Sequence, residues 1–522
     1  PRMHKFAWLI PLLPLLAAAL IGLGMLSGRK PGDAYEKLTS RIAVGAAALS
    51  LLLVLVIDAL ALLQGAPGQL DFGHWLVSGD YHIKLSFRLD ALGLSMATLV
   101  ALLSLLTQRF SVNYMHRETG YQRFVMVLSL FRAAMLLLVM AGNALFTFIG
   151  WELAGVSSYL LIAYAYDRTP ATTNATRAFV TNRIGDAGFI IAIALSLFWI
   201  NSVEWPAILS CSNSLEKLQV GLVTAAFLLA ALVKSAQLPF SPWITRALEG
   251  PTPSSAVFYG ALMVHAGVYL VIRLQPLIVQ VPVLMTALVL LGSATALYAL
   301  LSGLVQNDVK SALIYSTLGQ VGLMFLACGL GWFTLAAWHL AAHAIWRAYQ
   351  FLSAPGLMHF MHRPARPLPQ WLGRLRWLYT ASLQRFWLDS LADWLLVRPT
   401  RSLARDTQAF DQQIVNRLVG LPGSASAVSS LAQWEAFKHG QTGRVVGDSG
   451  DVGHARGAVG QLMEAVATLL HWFEEHLVLK GGDEGLFNLV QRLGRGLMKI
   501  EVLLSEPRYL ILLIVVTFIV IL

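Results

Sequence analysis

The chain has 522 residues, 57% of them apolar and only 13% charged, with a mean hydropathy of +0.64 and a formal net charge of +10. An ordinary soluble domain carries about 25% charged residues, so a soluble enzyme, a secreted disulfide scaffold and a disordered regulator are all excluded. Apolar runs of about 18 residues or more recur along the chain, each long enough to cross a hydrocarbon core of about 30 Å.

In chain order, membrane spans are expected at 6–26, 42–63, 89–107, 124–141, 144–165, 176–200, 219–246, 254–274, 282–304, 309–330 and 333–361, with a last, short apolar run at 509–522. The chain opens at Pro1 with no signal-peptide cleavage pattern, so its first apolar stretch reads as a retained span. No period-2 barrel signature appears, and a bilayer otherwise admits only helices. The expected fold is therefore an all-α polytopic membrane protein of about 12 spans, counted from that list.

Basic loop residues set the orientation. Arg29, Lys30, Lys37, Arg41, Arg109, Arg117, Arg123, Arg168 and the long segment from Arg363 fall on one side; Arg2, Lys5, Lys84, Arg88, Lys217 and Arg273 fall on the other. The positive-inside rule makes the first side cytoplasmic and the amino terminus periplasmic. Residues 363–507 are a different material, with 16 Lys/Arg against 14 Asp/Glu and Gly/Ser-rich breaks at 420–430 and 440–460. Within them 370–397, 457–480 and 485–504 read as amphipathic helices along the cytoplasmic membrane face. That face is either a partner-docking surface or a simple interfacial anchor. Four regions follow: N-terminal membrane helices at 1–88, a core at 89–362, the cytoplasmic-face segment 363–507 and a C-terminal anchor at 508–522.

Cys211 and Cys328 stand far apart with no CxxC, and neither GxGxxG after a strand nor GxxxxGK[ST] is present. No iron–sulfur, thiolate zinc, nicotinamide, flavin or ATP site is expected on this chain. The informative residues are instead ionisable groups inside apolar spans: Arg132, Glu152, Arg183, Asp186, Lys234, His265, Lys310, His339, His343 and Arg347. Each costs about 2.5–3.5 kcal/mol at a helix centre on insertion scales, so such groups face protein or water and mark pathways.

Glu152 and Lys234 are expected to pair, either as a two-state proton device or as a static ion pair. Arg183 and Asp186, three apart on one helix face, form either a local bridge or a field that tunes Glu152. His339, His343 and Arg347 recur every fourth residue. Zinc ligation, inert packing and a proton wire all remain open for them, the last suiting imidazole best. Lys310 opens a span and could snorkel to the interface. Pro239 breaks a span just after Lys234, as in helices that line transporter cavities.

GWELAGVSSYLL around Glu152, RAFVTNRIGDAGF, KSAQLPFSPW followed by GPTPSSA, and LVQNDVKSALIYSTLGQVG together resemble the proton-antiporter-like membrane subunits. That superfamily includes chain L of complex I and the large subunit of Mrp-type cation/proton antiporters. The resemblance covers about 85–360 and implies inverted five-helix repeats. It also implies a coupled input pair, Glu152 and Lys234, continued by Lys310, His339 and His343 along a central axis. The sequence departs from the pattern: the second repeat looks truncated, Arg347 replaces a relay lysine, Tyr259 replaces a histidine, His265 stands at a small-residue position and Arg132 interrupts an apolar span.

The shortened core with a charged tail looks most like the membrane subunit of DAB-type inorganic-carbon transporters. That likeness implies a non-enzymatic, proton-conducting subunit of a bacterial inner membrane. It would energise CO2 hydration to bicarbonate by a cytoplasmic zinc β-carbonic-anhydrase-like partner docked on 363–507, with zinc on the partner and no cofactor here. The alternative is a proton-pumping subunit of a complex I-like quinone reductase or an Mrp-type antiporter.

Overall fold

A computed structural model describes residues 3–28, 32–79, 81–360 and 367–415, together with positions 466 and 469. The expected helices at 457–480 and 485–504 and the anchor at 508–522 thus lie outside the described residues, apart from those two positions. The chain divides into two compact units, 1–397 and 398–522. In the second, the described residues include a helix, Arg398–Phe410.

In the first unit the long helices are α1 (Leu9–Leu26), α2 (Asp33–Gln64), α3 (Ala91–Tyr114), α4 (Tyr121–Met140), α5 (Ala144–Ile162), α6 (Thr169–Ile200), α7 (Lys217–Lys234), α8 (Thr252–Arg273), α9 (Pro282–Gly303), α10 (Val309–Gly329) and α11 (Phe333–Phe360). Among the described residues ten helices are long and apolar enough to span a membrane. The expected span at 333–361 forms as a helix, α11, which carries three histidines and an arginine and is not among those ten. Side-chain caps fix several starts: Asp90 accepts from the Gly93 N–H, Asn143 from Phe146 and Asp308 from Ser311.

The stretch before α3 is not helical. It is an antiparallel hairpin, β1 (Gly68–Ser78) with β2 (Tyr81–Leu89), where membrane helices alone were expected over 1–88. Its signal is present in β2: Ile83, Leu85, Phe87 and Leu89 alternate with polar residues after a Gly79-containing turn. Glu204, on the α6–α7 connection, ties the hairpin to the bundle by accepting from Gln69 and Ser86, each at 2.8 Å.

The span expected at 219–246 stops earlier than its proline. α7 ends at Lys234 itself, and residues 235–241 run irregularly, with Ala236 at φ +52°, before a single turn at Pro242–Thr245. Pro239 lies within this break rather than at its start. Freed backbone groups find local partners: the Trp243 indole N–H donates to the Val233 carbonyl at 2.9 Å, and the Leu238 N–H to Thr295 Oγ1 at 3.0 Å.

α8 is irregular too, passing from a first turn at Thr252–Ser255 through a π-helical stretch, Ala256–Ala261, and a tight turn, Met263–His265, into a regular end. Gly267 lets the two distorted helices touch. A Cβ there would lie 2.1 Å from Ser235 Oγ and 2.3 Å from the Ala231 carbonyl oxygen.

Candidate functional site

A row of buried and half-buried polar side chains runs through the first unit, starting on α5, α6 and α7. Glu152 stands near the middle of α5, and a turn of α6 presents Arg183 and Asp186 to it. Arg183 bridges both carboxylates, at 2.5 Å to Glu152 Oε2 and 2.7 Å to Asp186 Oδ2. Asp186 also accepts the indole N–H of Trp151 at 3.1 Å.

Trp151 then connects to Lys234. The ammonium donates to the Trp151 carbonyl at 3.3 Å and sits 5.0 Å from the indole ring centroid, a cation–π contact. Gly155 lies beside both cations: a Cβ there would be 3.5 Å from Lys234 Nζ and 3.7 Å from an Arg183 nitrogen, ordinary van der Waals contact.

The direct partner of Glu152 is therefore Arg183, where the sequence suggested Lys234. Both carboxylates still lie within electrostatic reach of the ammonium. Two acids and two bases make a neutral set when all are charged, which is the condition under which such groups persist inside a bilayer.

A second cluster forms where α8, α10 and α11 meet. His265, in the tight turn of α8, places Nε2 2.9 Å from His343 Nδ1. Arg347, one turn along α11, donates from Nε to His343 Nε2 at 3.2 Å and from Nη2 to Ser316 Oγ at 2.7 Å. His339 pairs with Gln320 at 2.8 Å, its ring 6.2 Å from that of His343. The histidine at the unusual position is thus in direct contact with a histidine of the α11 stripe.

Three residues fall elsewhere. Arg132 is fully buried on α4 and donates to the carbonyls of Ser104 and Ala43, stapling α4 to α3 and α2. Lys310 lies in the first turn of α10 beside Asp308, about 9 Å of helical rise before Ser316. Tyr259 is buried in the π-helical stretch, facing Trp243.

Sequence reasoning passed over the uncharged members, Trp151, Ser316 and Gln320, because nothing in their local pattern separates them from packing residues. It also passed over Asp58, an acid within the apolar stretch of α2, which accepts from Thr98 Oγ1 at 2.5 Å. Among the described residues no group of three or more His, Cys, Asp or Glu side chains is placed to hold a metal ion.

Residues 141–377 match the family model described as NADH:quinone oxidoreductase/Mrp antiporter, transmembrane, and 75–125 match that of the complex I chain 5 N-terminus. The chain is 35% identical over 366 residues to an NAD(P)H-quinone oxidoreductase chain 5 of a Picosynechococcus species, covering 69% of this chain and 55% of that one. It is 38% identical over 351 residues to an NADH-ubiquinone oxidoreductase chain 5 of Rhizopus stolonifer, covering 67% and 53%. The chain thus spans about half the length of the curated relatives it matches.

Two solved assemblies share the fold. A chain of the Mrp complex from a Dietzia species aligns with a TM-score of 0.60 at 24% identity, over 69% of this chain and 38% of that one. A chain of the membrane-bound sulfane sulfur reductase, an archaeal respiratory membrane complex, aligns at 0.61 and 21% identity, over 74% and 82%.

Proposed function

We propose a function from family and site together: the chain belongs to the NADH:quinone oxidoreductase/Mrp antiporter family of membrane subunits, and our reading is that it conducts protons within a larger membrane complex. The observation that carries this is the Arg183 bridge between Glu152 and Asp186, relayed through Trp151 to Lys234. A proton arriving on Glu152 cancels its charge and leaves Arg183 wholly to Asp186. Asp186 then holds Lys234 less strongly, and the ammonium releases its proton onward. Arrival and release are coupled because one guanidinium serves two carboxylates.

His265, His339 and His343 continue the row, with Lys310 towards the side we take as cytoplasmic. The test is proton flux in proteoliposomes of the isolated protein or its purified complex. Glu152→Gln and Lys234→Ala should each drop flux to the liposome background while insertion and yield stay normal. Wild-type flux in both variants would remove the assignment.

The assembly is either a quinone-linked pump or a cation/proton antiporter, as the names of its relatives suggest. A finer reading is an inorganic-carbon transporter in which a cytoplasmic zinc carbonic-anhydrase-like partner uses the proton flow. What motivates it is an arginine, Arg347, at the position where the resemblance expects a relay lysine. A tagged pull-down with metal analysis separates these. One zinc-containing partner without flavin or iron supports the carbon reading, and a set of redox subunits supports the pump.

A further inference from the structure

Hydrogen-bond chemistry fixes more about the second cluster than its distances state. A guanidinium carries only donors and does not give up its proton in proteins. Because Arg347 Nε donates to His343 Nε2, that nitrogen presents a lone pair, and a neutral His343 carries its proton on Nδ1. This proton points at His265 Nε2, 2.9 Å away, which must then accept. His265 is left with its own proton on Nδ1. Every hydrogen bond therefore runs one way, from Arg347 through His343 to His265.

A wire of this kind carries a proton only if each imidazole can receive on one nitrogen and release from the other. His343 cannot receive on Nε2 while Arg347 occupies it, and Arg347 has no lone pair with which to take a proton from the far side. No described carboxylate acts on Arg347, so nothing draws it off His343. Its other partner, Ser316, lines a groove of about 550 Å3 between α9 and α10, together with Ala296, Leu300, Gly303, Gly319 and Gln320. Arg347 does not itself line that groove and meets its wall through Ser316. We infer that Arg347 is a positioning residue that clamps His343 in one neutral tautomer and closes the histidine relay, which opens when the guanidinium withdraws from His343 Nε2.

The inference rests on the proton-conducting reading above, so its test carries a second readout that does not need conduction. Full-length protein labelled with 15N-histidine is placed in lipid nanodiscs, and His343 signals are assigned by difference with His343→Gln. The imidazole shifts of wild type should show a single tautomer protonated at Nδ1; Arg347→Leu should give a mixture of both. In proteoliposomes Arg347→Lys, which keeps a charge but can exchange its proton, should raise flux several-fold over wild type. The double variant with Glu152→Gln should return to background.

A wild-type His343 protonated at Nε2 or doubly protonated would overturn the clamp. So would an unchanged tautomer in Arg347→Leu, or flux in folded Arg347→Lys no higher than wild type when wild type conducts. Should neither wild type nor Arg347→Lys pass protons while the tautomer shifts as expected, the conduction reading falls and the clamp on His343 stands.

Discussion

The two halves of the polar row solve the same problem, keeping charge inside a bilayer, by opposite means. Around Glu152 the protein offsets every charge: Arg183 and Lys234 answer Glu152 and Asp186, and Trp151 links the two pairs through its N–H, carbonyl and ring. Around His343 it uses neutral rings and one guanidinium with no carboxylate acting on it among the described residues. A balanced set is bistable, because adding one proton redistributes the pairing. A donor-only terminus is rigid, because it imposes a single direction on its hydrogen bonds. On the proposed reading, input and closure of the proton path sit on separate helices.

The largest effect that would break this comparison is removal of the shared guanidinium of the first half. Arg183→Gln leaves two carboxylates competing for one ammonium, so flux should fall to background. The equivalent loss in the second half, Arg347→Leu, should not lower it. Equal loss in both would show that the halves act as one unit. Next comes the contact that joins the broken helix to its distorted neighbour. Gly267→Ala forces a methyl against Ser235 and the Ala231 carbonyl, and overpacking of this kind costs about 1–3 kcal/mol. A lower thermal midpoint in detergent, with reduced flux, is expected; an unchanged midpoint would mean that the break and α8 are not held together. A smaller effect follows Trp151→Phe, which keeps the ring under Lys234 but removes the N–H to Asp186. One buried hydrogen bond is worth about 0.5–1.5 kcal/mol, so flux should fall partway and stability only slightly.

What the sequence made legible follows from what charge costs in lipid. Glu152, Lys234, Arg183, Asp186 and the α11 histidines stand out because each interrupts an apolar run. The bundle of spanning helices is legible for the same reason, as a run of 18 residues without charge has few other uses. The partner of Glu152 was not legible, because Arg183 and Lys234 are equally plausible cations until helix packing decides between them. The π-helical stretch of α8 was not legible either, since Ala256–Ala261 carries no proline to mark it. The hairpin was missed for another reason: β2 alternates over only a few residues between two long apolar runs, and hydropathy averaging erases a period of two.

The smallest expected effect lies outside the row and supplies its reference. Asp90 caps α3 and forms ion pairs with Arg273 at the end of α8 and with Arg88 of the hairpin. Burial works against its charge, but the Arg273 charge and hydrogen bond, helped by Arg88 and the Gly93 N–H, hold its carboxyl below the usual value of 3.8. A depressed folded value means that the unfolded chain binds the proton more readily. The stabilisation is therefore complete above the ordinary value and is lost as pH falls through the lower, folded one. Asp90→Asn should lower the thermal midpoint at neutral pH, and the gap from wild type should close in strong acid. Because Asp90 touches neither half of the row, flux per folded molecule should stay at the wild-type level. A fall there would mean that the α3–α8 anchor sets the position of His265 as well as the stability of the bundle.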